Sequence, residues 1–441
     1  MNTPVPDSAA VVENLLIAAR QQSQQGAISQ AAQLYQRVLD LAPDHTEALV
    51  FLGRRALNEA QYIPAKQMLE RAVEQNGGDV QLLNNYGLAC IGAQRLDEAR
   101  VAFDRALALA PGSFLARIHL GHVLENLGDP RAALKQYFSA IMQAQARGRW
   151  LGPESTAPAL QALVTHAMRF VDGGRKQLFG DVLAQLRAEH GAEALRRVDH
   201  ALAIYLGEVP PNYTNAQQKP KFLYFPDLPT TPYFPRELFD WYAELESNTD
   251  VIREELRAVL QTEQGIEPFL KLSSADIIPQ YLGSGPQGAP AWDAFFFYRH
   301  GERYDENCAR CPRTTAIIEA LPLARIRAHA PEICFSVLAP GTHILPHHGV
   351  TNARVVTHLP LIVPEACALR AGGEEHAWQE GRCITFDDTF EHEAWNRSEQ
   401  TRVVLIIDNW NPHLSAVERN AVADLIEAIG DFNRECGIAA E

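Results

Sequence analysis

The chain has 441 residues, a hydrophobic content of 46% and a formal net charge of −15, so it is long enough for two or three domains and apolar enough to build their cores. The acidic balance argues against general nucleic-acid binding, because that function needs clustered lysine and arginine to neutralise phosphates. The longest apolar runs fall far short of the roughly 20 residues that a membrane-spanning helix requires, so we expect no membrane span.

The first ten residues are polar, contain two prolines, and lack the basic and apolar segments of a secretory signal peptide. Seven cysteines, an odd number, are scattered along the chain. This distribution is typical of a reducing compartment. We therefore expect an intracellular, cytoplasmic protein.

The first third of the chain repeats every 34 residues. Small residues, large residues and turn residues each keep this period, as expected for helix pairs that approach closely around a filler side chain. The positions are Gly53, Gly87 and Gly121; Ala31, Ala65, Ala99 and Ala133; Tyr35, Leu69, Phe103 and Tyr137; and Pro43, Gly77 and Pro111. The period is typical of tetratricopeptide repeats, so residues 10–145 are predicted to form an all-α solenoid.

A tetratricopeptide-repeat solenoid has a concave face that usually binds an extended peptide or another protein. We therefore expect this array to bind a peptide or protein partner, which would be the substrate if the second domain is an enzyme. The alternative is that the array only caps or braces the domain that follows it.

Residues 146–215 are predicted to be a helical extension and a linker. Apolar residues recur at helical spacing through most of this segment, with breaks expected at Gly173-Gly174 and Gly191. Prolines then accumulate over residues 207–235, a composition typical of a semi-rigid connection.

Residues 216–441 are predicted to form a second domain, in which a helix at about 235–260 precedes short β-type runs and a closing helix at 416–435. Glycine, proline and asparagine separate the runs. The runs lie at residues 295–298, 333–338, 355–359, 383–386 and 403–407. Many short strands with turns indicate a double-stranded β-helix, the jelly-roll arrangement of cupins.

Two histidines and an arginine among these runs indicate a metal site. His392 comes 45 residues after His347, and Arg402 begins the last run ten residues later. Two histidines in extended segments can meet at one metal ion, and an arginine one strand further on can bind a carboxylate with its planar fork. This layout is typical of non-haem Fe(II), 2-oxoglutarate-dependent oxygenases, although Gly349 stands where their carboxylate ligand is usual.

The neighbours of these residues add detail to the predicted site. His348 is adjacent to His347, and because side chains alternate along a strand, only one of the two should reach the metal. Ser336, on a neighbouring run, is a candidate hydroxyl donor to the same carboxylate as Arg402. Acidic residues near His392 are expected to hydrogen-bond its far nitrogen or ease cation binding; they are Asp387, Asp388, Glu391 and Glu393.

The sequence around these residues resembles the aspartyl/asparaginyl β-hydroxylase family. Several of the family's motifs occur in order, namely Gly341-Thr342-His343, His347 to Asn352, Arg354, His358-Leu359 and Phe386 to Asn396. The resemblance covers about residues 221–414 and extends to the joining of tetratricopeptide repeats to an oxygenase. The family is known for an Fe(II) site with two histidines and no carboxylate, which accounts for Gly349.

The resemblance implies a role for each candidate residue. His347 and His392 would be the iron ligands, Ser336 and Arg402 would hold the distal carboxylate of 2-oxoglutarate, and His358 would lie near its metal-binding end. Arg354 falls where the family has a cation that contacts substrate. The implied reaction consumes O₂ and hydroxylates the β-carbon of an aspartyl or asparaginyl residue, or a related amino-acid unit, in a peptide or protein.

One departure bears on the substrate. Val356 stands where the animal enzymes carry a second arginine, so their substrate, an aspartyl residue of an epidermal-growth-factor-like domain, does not follow for this chain. Two alternatives stay open. One is a repeat-based scaffold whose cupin-like domain is inactive, and the other is a hydroxylase of a small molecule or a lipid.

Cys308 and Cys311 form a CxxC pair before the predicted strands. No second CxxC accompanies it, so a complete zinc site is not expected, and we interpret the two as structural cysteines.

Overall fold

The structure, a computed structural model, describes residues 8–270, 281–284 and 290–438. The chain divides into two compact units, one running to Arg175 and including the chain from Phe432 onward, the other spanning Lys176–Asp431. The predicted extension and linker are thus shared between the units. In the described residues, no helix is long and apolar enough to cross a membrane.

The repeat region is a series of helices in which each packs against the next. The helices are α1 (Ser8–Gln24), α2 (Ile28–Leu41), α3 (Thr46–Asn58), α4 (Tyr62–Gln75), α5 (Val80–Gly92), α6 (Leu96–Leu109), α7 (Phe114–Asn126) and α8 (Pro130–Gln145). The predicted helical repeat array is confirmed.

The 34-residue period reflects one contact that recurs in three successive helix pairs, those of Gly53, Gly87 and Gly121. A methyl group in place of the Gly53 hydrogen would lie 2.7 Å from Leu69 Cγ, and one on Gly121 would lie 2.6 Å from Tyr137 Cδ1. Both distances are well below van der Waals contact in a close-packed interior. The small residue is therefore needed where the large residue of the following helix crosses it.

Further helices follow the repeats, namely α9 (Pro158–Val182), α10 (Ala184–His190) and α11 (Arg196–Tyr205). The predicted break at Gly173-Gly174 is wrong, because α9 continues through both residues. A methyl group on Gly174 would lie 2.8 Å from Leu134 Cδ1, so this glycine permits close packing. The break predicted at Gly191 is confirmed, since α10 stops there and Gly191 has a φ of 82°, a left-handed conformation that favours glycine.

The helices of the second unit are α12 (Tyr242–Ser247), α13 (Thr249–Thr262), α14 (Asp305–Arg310) and α15 (Pro312–Glu319), and α16 (Ala416–Glu435) begins in it. The prediction of one helix at about 235–260 is wrong. At the break, Asn248 Nδ2 donates to the Glu244 carbonyl at 2.8 Å and Thr249 Oγ1 to the Glu246 carbonyl at 2.6 Å. Such side-chain bonds compete with the helical ladder.

The strands form two antiparallel sheets. They are β1 (Ile266–Pro268), β2 (Leu282–Ser284), β3 (Trp292–Arg299), β4 (Glu302–Arg303), β5 (Ile333–Leu338), β6 (Thr342–His347), β7 (Arg354–Ile362), β8 (Cys367–Ala371), β9 (Glu374–Ala377), β10 (Ile384–Phe386), β11 (His392–Asn396) and β12 (Arg402–Trp410). The larger sheet has the order β1-β3-β5-β12-β7-β10, with β4 beside β3, and the smaller has the order β2-β6-β11-β8-β9.

The larger sheet is covered on both faces, which explains why β12 is buried along most of its length. Val403 and Leu405 belong to the apolar core that this sheet shares with α12 and α13. Val404 belongs instead to a second core, which includes residues of the smaller sheet such as Ile344 and Leu369. The two sheets therefore face each other, and the predicted fold class, helical repeats followed by a jelly-roll domain, is confirmed.

Candidate active site

His347 and His392 face each other on the smaller sheet. β6 ends at His347, β11 begins at His392, and the two residues are partners in the antiparallel register of these strands. Their ring centroids are 4.0 Å apart. The structure thus brings together, on adjacent strands, the two histidines that the sequence singles out.

Each of these imidazoles is oriented by a main-chain carbonyl. His347 Nδ1 donates to the Leu345 carbonyl at 2.8 Å, and His392 Nδ1 donates to the Phe390 carbonyl at 3.0 Å. Because a carbonyl oxygen can only accept, the proton is on Nδ1 and Nε2 keeps the lone pair that a metal ligand needs. Burial lowers the pKa of both histidines, most strongly that of His392, which favours the neutral form that binds metal.

The two histidines line a cavity of about 200 Å³ in the second unit. The other residues singled out from the sequence line the same cavity; they are Ser336, Arg354, His358 and Arg402. His348 is not among the lining residues. Within the part of the chain that the structure describes, no group of three or more His, Cys, Asp or Glu side chains is arranged to hold a metal ion.

Arg402 is a buried cation without a carboxylate partner in the described chain. It is 1% exposed, its Nη1 donates to Ser336 Oγ at 3.3 Å, and its guanidinium lies 4.9 Å from the Trp378 ring centroid. Burial lowers the pKa of Arg402 to about 10. An unpaired buried charge is costly, so this arrangement is typical of a site that receives an anion.

Ser336 stands between Arg402 and an indole. Its Oγ accepts a hydrogen bond from Trp292 Nε1 at 2.9 Å as well as the one from Arg402. A hydroxyl that accepts two hydrogen bonds still has its own proton to donate. Ser336 can therefore donate to the same anion that pairs with Arg402.

His358 lies on β7 near this charge. It is 6% exposed, and its Nδ1 has no hydrogen-bond partner in the described residues. Burial, and after it the charge of Arg402, lowers the pKa of His358 to about 3. His358 is thus a buried, neutral imidazole that lines the cavity and has one ring nitrogen unpaired in the described residues.

Asp388 occupies the space that a side chain at position 349 would need. A methyl group on Gly349 would overlap the carboxylate group of Asp388. Asp388 is 7% exposed, and its Oδ1 has no hydrogen-bond partner in the described residues. Glycine at position 349 therefore leaves space for the carboxylate of Asp388, which comes from the turn between β10 and β11.

Arg354 is surrounded by carboxylates. Its Nη1 donates to Asp408 Oδ1 at 2.7 Å, and its Nη2 lies 3.4 Å from Asp388 Oδ2. Although burial opposes its charge, Asp408 and Asp388 raise the pKa of Arg354. Glu332 lines the same part of the cavity, and its amide donates to Asp408 Oδ2 at 2.8 Å.

Sequence reasoning missed Glu332 and Asp408, although a signal was present. Side chains two apart on a strand share a face, so Ser336 on β5 and Arg402 on β12 indicate which neighbours face the cavity. Glu332 lies four residues before Ser336, and Asp408 lies six residues after Arg402. Asp388 was singled out as a neighbour of His392, but its position beside Gly349 had no comparable signal, because it lies in the turn between β10 and β11.

The expected hydrogen bonds from acidic side chains to the far nitrogen of His392 are not formed, since that nitrogen donates to a main-chain carbonyl. Asp387 instead accepts from Thr389 Oγ1 at 2.5 Å and from Gln218 Nε2 at 2.7 Å. Glu393 accepts from His343 and Arg370. These carboxylates stabilise the turn and the outer face of the sheet rather than the imidazole.

Cys308 and Cys311 are buried and form no disulfide. Burial raises the pKa of both thiols, so they are protonated and poorly nucleophilic near neutral pH. Both belong to the apolar core between α15 and the larger sheet, as expected for residues that contribute packing.

Comparison with known proteins assigns these motifs to a family. The sequence model described as "Aspartyl/Asparaginyl beta-hydroxylase" matches residues 246–412, and two tetratricopeptide-repeat models match residues 23–84 and 80–113. The mouse protein named aspartate beta-hydroxylase domain-containing protein 1 is 31% identical over 283 residues, which are 63% of this chain and 71% of that protein. The chain belongs to the aspartyl/asparaginyl beta-hydroxylase family.

Other members of the family match this chain over different lengths. The rat aspartate beta-hydroxylase domain-containing protein 2 is 37% identical over 48% of this chain and 60% of its own length. The human aspartyl/asparaginyl beta-hydroxylase is 25% identical over 89% of this chain and 47% of its own length. The match thus spans less than two thirds of either protein, while in the human protein it extends beyond the hydroxylase segment.

Proposed function

We propose that this protein is an Fe(II)- and 2-oxoglutarate-dependent dioxygenase that hydroxylates the β-carbon of an aspartyl or asparaginyl side chain, or of a related amino-acid unit. The observation that carries the proposal is that one cavity contains both a pair of neutral, facing histidines and a buried arginine without a carboxylate partner. A redox metal and an oxoacid are the two ligands that these features suit.

The two histidines fit a metal ion, because each keeps Nε2 free while its Nδ1–H is held by a carbonyl. His347 and His392 would hold Fe(II), and a chelating oxoacid would complete the ligand set. When bound, Fe(II), 2-oxoglutarate and O₂ supply the oxidant for an unactivated C–H bond.

The other residues of the cavity would bind 2-oxoglutarate and orient it. Arg402 would form paired hydrogen bonds to the distal carboxylate of 2-oxoglutarate, Ser336 would donate its hydroxyl to the same group, and His358 would lie near the other end. Trp378, beside both Arg402 and His358, would keep water away from this carboxylate.

Asp388 supports the two-histidine design. It fills the space beside Gly349 and leaves one carboxylate oxygen unpaired in the cavity. That oxygen would accept a hydrogen bond from water or from a bound molecule, so a carboxylate would act near the metal without being supplied by position 349.

The repeat array would bind the peptide or protein that carries the acceptor residue. Tetratricopeptide repeats commonly bind extended peptides, and this chain has them in addition to the hydroxylase segment.

Two measurements test the proposed function. They are Fe(II) binding by calorimetry under anaerobic conditions, and Fe(II)-dependent conversion of 2-oxoglutarate to succinate. The change His347→Ala should abolish both, since a two-ligand site cannot spare one ligand. The change His348→Ala is the matched control and should preserve Fe(II) affinity. Equal losses in the two variants would contradict the assignment of His347.

Substrate identity follows from a screen with the same protein. Peptides with asparagine or aspartate, free amino acids and lipid acyl donors are compared for a mass gain of one oxygen. Fe(II) binding without 2-oxoglutarate turnover on any of them would favour a repeat-based scaffold.

A further inference from the structure

The cavity has two chemically different ends. Ser336, in the middle of β5, and Glu332, which immediately precedes β5, both line it. They are four residues apart, which corresponds to about 13 Å along a strand. Ser336 stands with Arg402 at the first end. Glu332 stands at the second end with Asp408, which pairs with Arg354.

If the first end holds the cosubstrate, as the proposed function requires, the second end faces the acceptor. There the described lining residues include three carboxylates and one guanidinium; they are Glu332, Asp388, Asp408 and Arg354. Arg354 is already bound by two of these carboxylates. This end is therefore short of positive charge.

Glu332 is the carboxylate with the fewest partners. In the described residues its carboxylate accepts no hydrogen bond, and its one ion-pair contact is with His300, whose Nδ1 is 3.8 Å away and whose side chain is 62% exposed. Burial, and after it the nearby Asp408, raises the pKa of Glu332 to about 7. Arg354 and Arg299 oppose this shift without cancelling it, as expected for a buried carboxylate that accepts no hydrogen bond.

A second observation comes from Asp388, which does not depend on Glu332. It is 7% exposed and lines the cavity, and its Oδ1 is buried without a hydrogen-bond partner in the described chain. Buried acceptors in native proteins are nearly always paired, so this oxygen requires a donor that the described chain does not supply.

We propose that the acceptor side chain ends in nitrogen groups that donate hydrogen bonds, as an amide or a cation does, and that Glu332 selects it against a carboxylate. This inference rests on the proposed function for the direction in which the acceptor enters. A carboxylate-bearing acceptor would meet Glu332 and Asp408 without a free cation to receive it. An amide or guanidinium would donate to both.

The inference is tested by binding rather than by turnover. The N-acetyl, C-methylamide derivatives of asparagine, aspartate and arginine are titrated into the full-length protein at pH 8, with 2-oxoglutarate present, and followed by calorimetry. Asparagine and aspartate have nearly the same shape, so their comparison isolates the terminal group. We expect asparagine to bind at least ten-fold tighter than aspartate. The arginine probe separates an amide acceptor from a cationic one.

Variants of Glu332 identify its role. Glu332→Gln should reduce binding of the arginine probe about ten-fold, and Glu332→Arg should reverse the preference between asparagine and aspartate. The matched control is Glu302→Gln, which changes an exposed glutamate on β4 of the larger sheet. It should leave the preference unchanged.

Three outcomes would overturn the inference: aspartate binding as tightly as asparagine, a preference that no Glu332 variant alters, or no binding by either nitrogen-bearing probe. These outcomes are independent of iron. A protein that prefers the nitrogen probes but forms no succinate would contradict the proposed function alone, whereas succinate formation coupled only to an aspartyl acceptor would contradict this inference alone.

Discussion

Arg402 and Arg354 are buried guanidinium groups that line one cavity, yet their surroundings are opposite. Arg354 lies between Asp408 and Asp388, which raise its pKa. Arg402 has a hydroxyl, a carbonyl and an indole around it, and burial lowers its pKa to about 10. The positive charge of an arginine is thus compensated by carboxylates at one end of the cavity and is not compensated at the other.

The difference separates a structural ion pair from a ligand site. A protein that buries a cation with its carboxylate gains a fixed local geometry, whereas a protein that buries a cation without one is less stable until an anion binds. Loss of the carboxylate that pairs with Arg354 should therefore lower the stability of the protein. Removal of Arg402 should raise the stability of the ligand-free protein and abolish anion binding.

The largest effect is expected from Asp408→Asn. The change removes the closer partner of Arg354 while keeping the shape of the side chain, so a buried cation loses most of its compensation. The free energy of unfolding should fall by about 3 kcal/mol, the lower end for a broken buried ion pair, because the amide oxygen can still accept. Urea denaturation measures this.

Arg402→Met supplies the contrast for that experiment. It removes an uncompensated buried charge, so the ligand-free protein should become more stable while 2-oxoglutarate binding is lost. A loss of stability similar to that of Asp408→Asn would mean that the two arginines do not differ.

Arg402→Lys should weaken cosubstrate binding without abolishing it. Lysine keeps the positive charge but cannot make the paired hydrogen bonds of a guanidinium, so affinity for a 2-oxoglutarate mimic such as N-oxalylglycine should fall by about 1.5–3 kcal/mol. Calorimetry gives the value directly. Arg370→Lys, on β8 of the smaller sheet and outside the lining of the cavity, is a control that should bind the mimic as the wild type does.

Gly349→Asp adds a carboxylate at the Arg354 end. The new side chain would overlap Asp388, so we expect a loss of about 1–3 kcal/mol in stability from overpacking and no gain in turnover. Greater activity with unchanged stability would mean that position 349 can accept a metal-binding carboxylate and that the two-histidine design is wrong.

The smallest expected effect is a pH dependence from Glu332, whose pKa is raised to about 7, mainly by burial. Between its ordinary pKa and about 7, the folded protein binds more protons than the unfolded chain, so the stabilisation present at lower pH is lost as pH rises through 7. Relative to Glu332→Gln, the wild type should lose on the order of 1–2 kcal/mol between pH 5 and 8. Parallel stability curves would contradict this.

The repeats were predictable because their contacts repeat. The pairing of Gly53 with Leu69 recurs at a fixed interval, so a single sequence shows it several times. The break assigned to Gly173-Gly174 failed for a related reason, since a glycine that ends a helix and one that admits Leu134 look alike until the neighbouring helix is placed.

The convergence of His347, His392 and Arg402 on one cavity was predictable, because their residue types and spacing are typical of a single site. What could not be predicted is which side chains compensate which charges. Arg354 and Arg402 each begin a strand, and the sequence does not show which of them is paired. Only the strand order, which places β12 between β5 and β7, brings Asp408 to Arg354. Glu332 was missed because it immediately precedes its strand.

The way in which His347 and His392 are aligned has a consequence for the sequence around them. Each ring is fixed by the carbonyl two residues before it, and every amino acid provides that carbonyl. Positions 345 and 390 can therefore change identity without releasing the imidazoles, provided the strands keep their course. The orientation of the two imidazoles would then be kept in relatives that retain the two histidines and the course of the strands but differ elsewhere in sequence. The same pair of strand ends can be designed into other antiparallel sheets as a metal site.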